Sequence, residues 1–470
     1  MIHRFFVALL FFVSAHAAWA LPVYGEQTGE KCSACHINVG ELTPRGRKFK
    51  LLAYAQGEKK TPFAALGTVS VAQINKSTSS WDANIALPKN GVPIVEGGSL
   101  LWTGKMAEDV GTKIKWTANT ANTTPIYAVS GVQTGTKVGR DYFLDASEIR
   151  GIQRTQWSDQ ELIYGVSINN APGQEDLWIT TPVNSFPYKN SQLVNAWGMG
   201  QFGPLSLMDG GLTSQTKGVV FYGLLDDQWY VALGNYWKFS SSTPLLSLGG
   251  QRNTLNSGLN PYLRLARTQV MGDHNWTYGF FGMKTRLARD PAVVGSASGT
   301  YTDLGLDAEY QHITDTHTWS AQVAWIHEFN QWGVRSVGRS HDAATGTLTT
   351  LKAKASYNYA RTYTVSLFAF KSHGSTDQLY WSYNPDPSVI TGACNQNTSV
   401  LAFCSQNGKP DTRGAGFELM YNPTPRWTLA FQQTFYKQFL GASTFIDNSS
   451  GNLRQASDNN LTYVYLMYAY

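Results

Sequence analysis

The chain ends Leu461-Thr462-Tyr463-Val464-Tyr465-Leu466-Met467-Tyr468-Ala469-Tyr470. Successive side chains of an extended strand point to opposite sides, so Tyr470, Tyr468, Leu466 and Val464 share one face. On the edge of a soluble sheet such a row of exposed aromatic and aliphatic groups would invite aggregation. Facing lipid, it is what a membrane strand requires.

The same period of two recurs upstream. Leu351, Ala353, Ala355, Tyr357 and Tyr359 alternate with Lys352, Lys354, Ser356 and Asn358. Trp427, Leu429, Phe431 and Phe435 alternate with Thr428, Ala430, Gln432 and Thr434, and Thr112, Ile114, Trp116 and Ala118 with Lys113, Lys115 and Thr117. One face suits lipid and the other a polar lumen. Composition agrees. Only 15% of residues are charged, against ~25% in soluble domains, yet mean hydropathy is −0.25. Beyond the first twenty residues no run approaches the ~18 apolar residues of a helical span. Aromatic residues make up 13%, with 44 glycines and 15 tryptophans, as alternating strands between aromatic girdles require. The net charge of +5 is spread out and argues against nucleic acid as a partner. The expected fold is all-β, a transmembrane antiparallel barrel placed in the bacterial outer membrane. A terminal aromatic on an alternating strand resembles the assembly signal of proteins of that membrane.

Connection lengths give the strand number, because periplasmic turns are short and extracellular loops long. Short turns are expected at 107–109, 151–158, 226–227, 272–274, 312–317, 360–361 and 422–425. Long loops are expected at 77–97, 119–140, 170–215, 240–259, 287–299, 329–348, 373–412 and 438–459. These connections join about 16 strands across residues 63–470. Asn195 to Phe202 could also be a strand, which would break the even parity. It is read instead as part of a long loop that folds into the lumen.

The beginning of the chain sets the compartment. His3 and Arg4 are basic, Phe5 to Val13 is apolar, and Ala18-Trp19-Ala20 is a cleavage site, so residues 1–20 read as an export signal. Shortly after it comes Cys32-Ser33-Ala34-Cys35-His36, a C-x-x-C-H haem attachment sequence. Two thiols at this spacing suit thioether bonds to the haem, and His36 follows as axial ligand to the iron. Residues 21–62 are too few for an independent core. Besides His36 they contain no histidine and no methionine. The segment is therefore expected to dock in the barrel lumen and borrow its walls. A distal ligand would come from elsewhere in the chain, with Met199, Met208, His274, His312, His317 and Met467 as candidates, each with a plainer role as a turn histidine or packing methionine, or from a lysine or the amino terminus, or be absent. Cys394 and Cys404 close a short polar loop and suit a surface disulfide in an oxidising compartment. No carboxylate cluster marks a metal site.

Leu21-Pro22-Val23-Tyr24, Gln27-Thr28-Gly29, the C-x-x-C-H at 32–36, Gly46-Arg47 and Phe49-Lys50 resemble the fused outer-membrane monohaem cytochrome–porins of iron-oxidising bacteria. The resemblance implies one covalent haem c held by Cys32, Cys35 and His36 ahead of a sixteen-stranded barrel. It also implies electron transfer from extracellular Fe(II) to a periplasmic cytochrome or copper protein. Here Tyr24-Gly25-Glu26 replaces the family's aromatic-Ala-Arg, which changes the charge beside the haem. Two alternatives use the same parts: a diffusion porin with a structural or sensory haem, and an outward conduit to an external acceptor. A filled lumen favours electron transfer and an open one favours the porin.

Overall fold

The computed structural model describes residues 22–38, 40–58, 63–76, 90–127, 133–180, 186–189, 191, 205–212, 216–238, 255, 258–288, 298–332, 341–382, 403–447 and 453–470. The expected export signal lies outside them.

The alternating segments form one closed antiparallel barrel. Its staves are β1 (Phe63–Ile74), β2 (Pro93–Ala107), β3 (Val110–Tyr127), β4 (Gln133–Leu144 continued by Glu148–Trp157), β5 (Gln160–Asn169), β6 (Thr216–Leu225), β7 (Trp229–Lys238) and β8 (Pro261–Met271). The second half is β9 (His274–Ala288), β10 (Ser298–Ile313), β11 (His317–Gln331), β12 (Thr345–Tyr359), β13 (Tyr363–Gly374), β14 (Thr412–Thr424), β15 (Trp427–Gln438) and β16 (Leu461–Ala469). The two pieces of β4 count as one stave because both pair with β3, through Trp116–Leu144 and Val110–Gly151. The barrel closes where β16 meets β1, with Leu461 opposite Ile74 and Ala469 opposite Leu66. Closure leaves no edge, as a chain in lipid requires.

Alternation sorts the side chains as expected. On β12, Lys352, Lys354, Ser356 and Asn358 are buried inside, while Leu351 and Tyr359 are exposed outside. Outward Phe63, Trp157, Trp229, Trp319, Tyr363, Trp427 and Tyr470 lie beside the chain ends and short turns and form one girdle. The seven short turns fall near where the sequence places them, although residues 422–424 belong to β14 and the last turn is Pro425–Arg426. Residues 151–157 belong to β4, and the turn is only Ser158–Asp159, both at positive φ. A further difference lies at 119–140, where β3 runs on to Tyr127 and β4 resumes at Gln133. This stretch is polar on both faces and so looks like a loop. Ladder hydrogen bonds do not need an apolar face where strands project beyond lipid.

Two segments occupy the interior. The connection after β5 turns inward, and its described residues Leu177, Trp178, Met208 and Leu212 join one buried cluster with inward residues of β6–β9. None of its described residues is a strand; Asn195 to Phe202 lie outside the described residues. The second segment is the N-terminal one: α1 (Pro22–Thr28), α2 (Cys32–Cys35), a small hairpin (His36–Asn38 with Glu41–Leu42) and α3 (Pro44–Leu51). Thr43 caps α3 by accepting a hydrogen bond from the Gly46 amide, and Pro44 occupies its first turn.

Candidate functional site

The C-x-x-C-H sequence is one short helix followed at once by the hairpin, so Cys32, Cys35 and His36 stand together. Cys32 is buried and Cys35 half-buried, and the two are not joined in a disulfide. The α2–α3 packing is tight: a Cβ on Gly46 would lie 2.1 Å from the Cys35 carbonyl oxygen. Thr43 reinforces it by donating its hydroxyl to the Ala34 carbonyl and its amide to the Cys35 carbonyl. Arg45 pairs with Glu30 at 2.7 Å beside Cys35. Burial, then the Glu30 charge, pushes the Cys35 thiol up to about 11. Burial, then the Lys113 charge, pulls His36 down to about 4, opposed by a hydrogen bond to the Asn38 backbone. At neutral pH the imidazole is therefore neutral, and the backbone bond fixes its orientation, as an iron ligand requires. Two reduced cysteines one helical turn apart and an oriented neutral histidine have the chemistry of a covalent haem c site.

The lumen wall holds this segment on several sides. Tyr24 bonds to Thr103 on β2, and the Lys105 amide donates to the Gln27 side chain at 2.9 Å. Tyr54 bonds to Glu148 on β4, and Tyr222 on β6 donates to the Leu51 carbonyl at 3.1 Å. Arg47 forms a buried ion pair with Glu309 on β10, and Gln311 donates to the Leu42 carbonyl at 2.9 Å. Glu41 meets Lys354 on β12 at 2.8 Å and Ser320 on β11 at 2.5 Å. Burial alone would raise the Glu41 carboxyl, but the Lys354 charge and the hydrogen bonds hold it below its ordinary range. Asn358 donates to the Ile37 carbonyl at 3.1 Å and Arg361, in a short turn, to the His36 carbonyl at 3.3 Å. Lys48 reaches Glu161 and Asp227 beside two other short turns, at 3.3 and 2.9 Å. These turn contacts put the segment in the turn-side half of the lumen.

The remaining candidates disperse. Asn275 and Gln311 are buried inside the barrel, so by parity His274 and His312 point out of it. His317 likewise points outward, since Thr318 is the inward residue. The structure therefore places these three on the outer wall, on the opposite face from the segment that holds His36. Met208 is buried in the lumen cluster that contains Leu51 and Leu52. Met467 faces inward as expected, with Lys189 Nζ 3.9 Å from its sulfur. Cys404 is disulfide-bonded; Cys394 and Met199 lie outside the described residues.

The sequence reading missed the wall side of the site. Glu309 and Gln311, which grip Arg47 and Leu42, are ordinary polar positions of an alternating strand. The available signal was the pair Lys352 and Lys354, two cations on one inward face that call for anions within. Asp209 from the inward loop answers the first at 2.5 Å and Glu41 the second.

No family model matches the chain, and no curated protein matches it. Solved outer-membrane proteins are similar at the level of the barrel. An anion-selective porin from Comamonas acidovorans is 12% identical with TM-score 0.42, over 87% of this chain and 98% of that one. A loop-deletion mutant of OmpT from Vibrio cholerae is 8% identical with TM-score 0.41 over the same shares. The channel DcaP of Acinetobacter baumannii is 9% identical with TM-score 0.40, over 87% and 96%. What the chain itself shows is a closed antiparallel barrel of sixteen staves.

Proposed function

We propose that the protein transfers electrons across the outer membrane, using a haem c attached at Cys32 and Cys35 with His36 as iron ligand. Extracellular Fe(II) is the proposed donor and a periplasmic cytochrome or copper protein the acceptor. The observation that carries this reading is the occupied lumen. Barrels of 16–18 strands normally leave an aqueous channel. Here residues 22–58 sit inside, gripped by buried side chains of β2, β4, β6 and β10–β12. A bound haem would supply one-electron chemistry matched to Fe(II)/Fe(III). The chain's own contribution is positional. The α2–α3 contact holds both thiols on one turn, the Asn38 backbone orients His36, and the ion pairs of Glu41 and Arg47 fix the segment in the wall.

The test is rapid mixing of the oxidised purified protein with Fe(II). A reduced c-type spectrum is expected in the wild type and none in His36→Ala. Wild-type haem that stays oxidised in excess Fe(II) would remove iron as the donor. The porin reading rests on the barrel itself, and an open wild-type channel in planar bilayers would favour it.

A further inference from the structure

The outward-facing histidines form a feature of their own. His274 and His312 are directly opposite each other on β9 and β10. Their rings stack with centroids 4.5 Å apart and planes 19° from parallel. His274 is exposed and His312 half-buried, on the outer wall immediately beside the Gly272–Asp273 turn. The His274 ring is also oriented: its Nδ1 is 2.9 Å from the Tyr310 hydroxyl. That bond leaves Nε2 as the free nitrogen. A polar group on one ring nitrogen is the usual support for an imidazole that binds metal through the other.

We infer that His274 and His312 form a two-histidine site for a divalent transition-metal ion, with Cu(II) preferred. Metal–imidazole bonds of about 2.0–2.1 Å place two ligand nitrogens roughly 3–4 Å apart. The two side chains are close enough to share one ion, but near-parallel rings do not converge on it, so binding requires the His312 ring to rotate about its side-chain bonds while Tyr310 holds that of His274. Imidazole is a borderline ligand that favours copper, nickel and zinc over calcium or magnesium, and copper leads the affinity order. Exposed Asp273 and Asp315, in this turn and the next, add negative charge that attracts a cation. Water completes the coordination. His317 lies on the next strand with its Nδ1 2.7 Å from Tyr357 and serves as an internal control. The site does not depend on the haem or on the proposed electron transfer.

The experiment is titration of Cu(II) into the full-length protein in detergent, without a histidine tag, followed by electron paramagnetic resonance. One ion per chain coupled to two nitrogens is expected. His274→Ala and His312→Ala should each weaken binding by about tenfold or more, and Tyr310→Phe by about tenfold through loss of the orienting hydroxyl. His317→Ala should bind as the wild type does. All variants should keep wild-type mobility on unheated gels, which shows that the barrel is folded. Copper binding unchanged in His274→Ala and His312→Ala, or no two-nitrogen signal in the wild type, would reduce the feature to a stacked pair of girdle side chains.

Discussion

In the barrel wall every stave has two hydrogen-bonded neighbours, and the ladder closes on itself. In the segment at 22–58 the helices have seven, four and eight residues. Its apolar groups complete clusters shared with the wall: Leu51, Leu52 and Ala53 lie with Ile152 and Tyr222, and Val23 with Ala64 and Leu101. Its buried charges, Glu41 and Arg47, are answered by Lys354 and Glu309 of the wall. The wall is thus structurally sufficient alone, whereas the segment is folded by the wall. The haem proposed here would gain a dry site in this way without a globular domain to make one.

The largest effect expected from this asymmetry is on deletion. Removing residues 22–58 should leave a barrel that inserts into membranes and migrates as folded on unheated gels, but now conducts ions. The same residues as a free peptide should show no cooperative unfolding, since chains below about 40 residues seldom hold a core. A deleted barrel that fails to assemble, or a peptide that folds alone, would break the contrast.

Next in size is Arg47→Met. It strands the Glu309 carboxylate inside the wall, and breaking a buried pair from one side costs about 3–5 kcal/mol. Resistance of the segment to protease in the folded barrel should fall steeply, while barrel melting stays near wild type. The double variant Arg47→Met/Glu309→Gln should recover much of the loss, because no charge is then stranded. Equal damage in the single and double variants would mean that Arg47 acts through packing.

The wall was legible in the sequence because lipid imposes a period of two on its outer face. Leu351 to Tyr359 and Trp427 to Phe435 could be assigned to faces without a structure. The reading differed from the structure where that constraint lapses, at 119–140, and the faces of His274, His312 and His317 beside the turns could not be assigned, because they satisfy the same alternation either way. The candidate site stands out in the sequence for a different reason. Cys32, Cys35 and His36 are chemically specific and adjacent, so no long-range information was needed. Their partners could not be read, because Arg47–Glu309 and Glu41–Lys354 join residues hundreds of positions apart and depend on barrel register.

Acid separates the two regions more gently. The Glu41 carboxyl is held below its ordinary value of 4.5 in the folded protein. A depressed carboxyl contributes stability that is complete above the unfolded value and is lost as pH falls through the folded one. Each unit of depression is worth about 1.4 kcal/mol. The segment should therefore become protease-sensitive below about pH 4.5 while the barrel still runs as folded, and Glu41→Gln should flatten that dependence. Release at the same pH in Glu41→Gln as in wild type would assign it to other groups.

The smallest effect belongs to Lys48, the cation of the segment that reaches the turn carboxylates rather than the lumen. Like Arg47 with Glu309, it pairs with carboxylates of the wall, but all three partners are substantially exposed, at 34%, 43% and 57% of their side-chain areas. Water already solvates these charges, and salt screens them, so such pairs contribute about 0–1 kcal/mol. Lys48→Ala should leave protease resistance within a factor of about five of wild type, since 1 kcal/mol is roughly that ratio. Raising the salt concentration should shrink even this difference. A loss as large as that of Arg47→Met would show that the segment is anchored at the barrel mouth rather than in the wall, and would reverse the assignment of which ion pairs hold it.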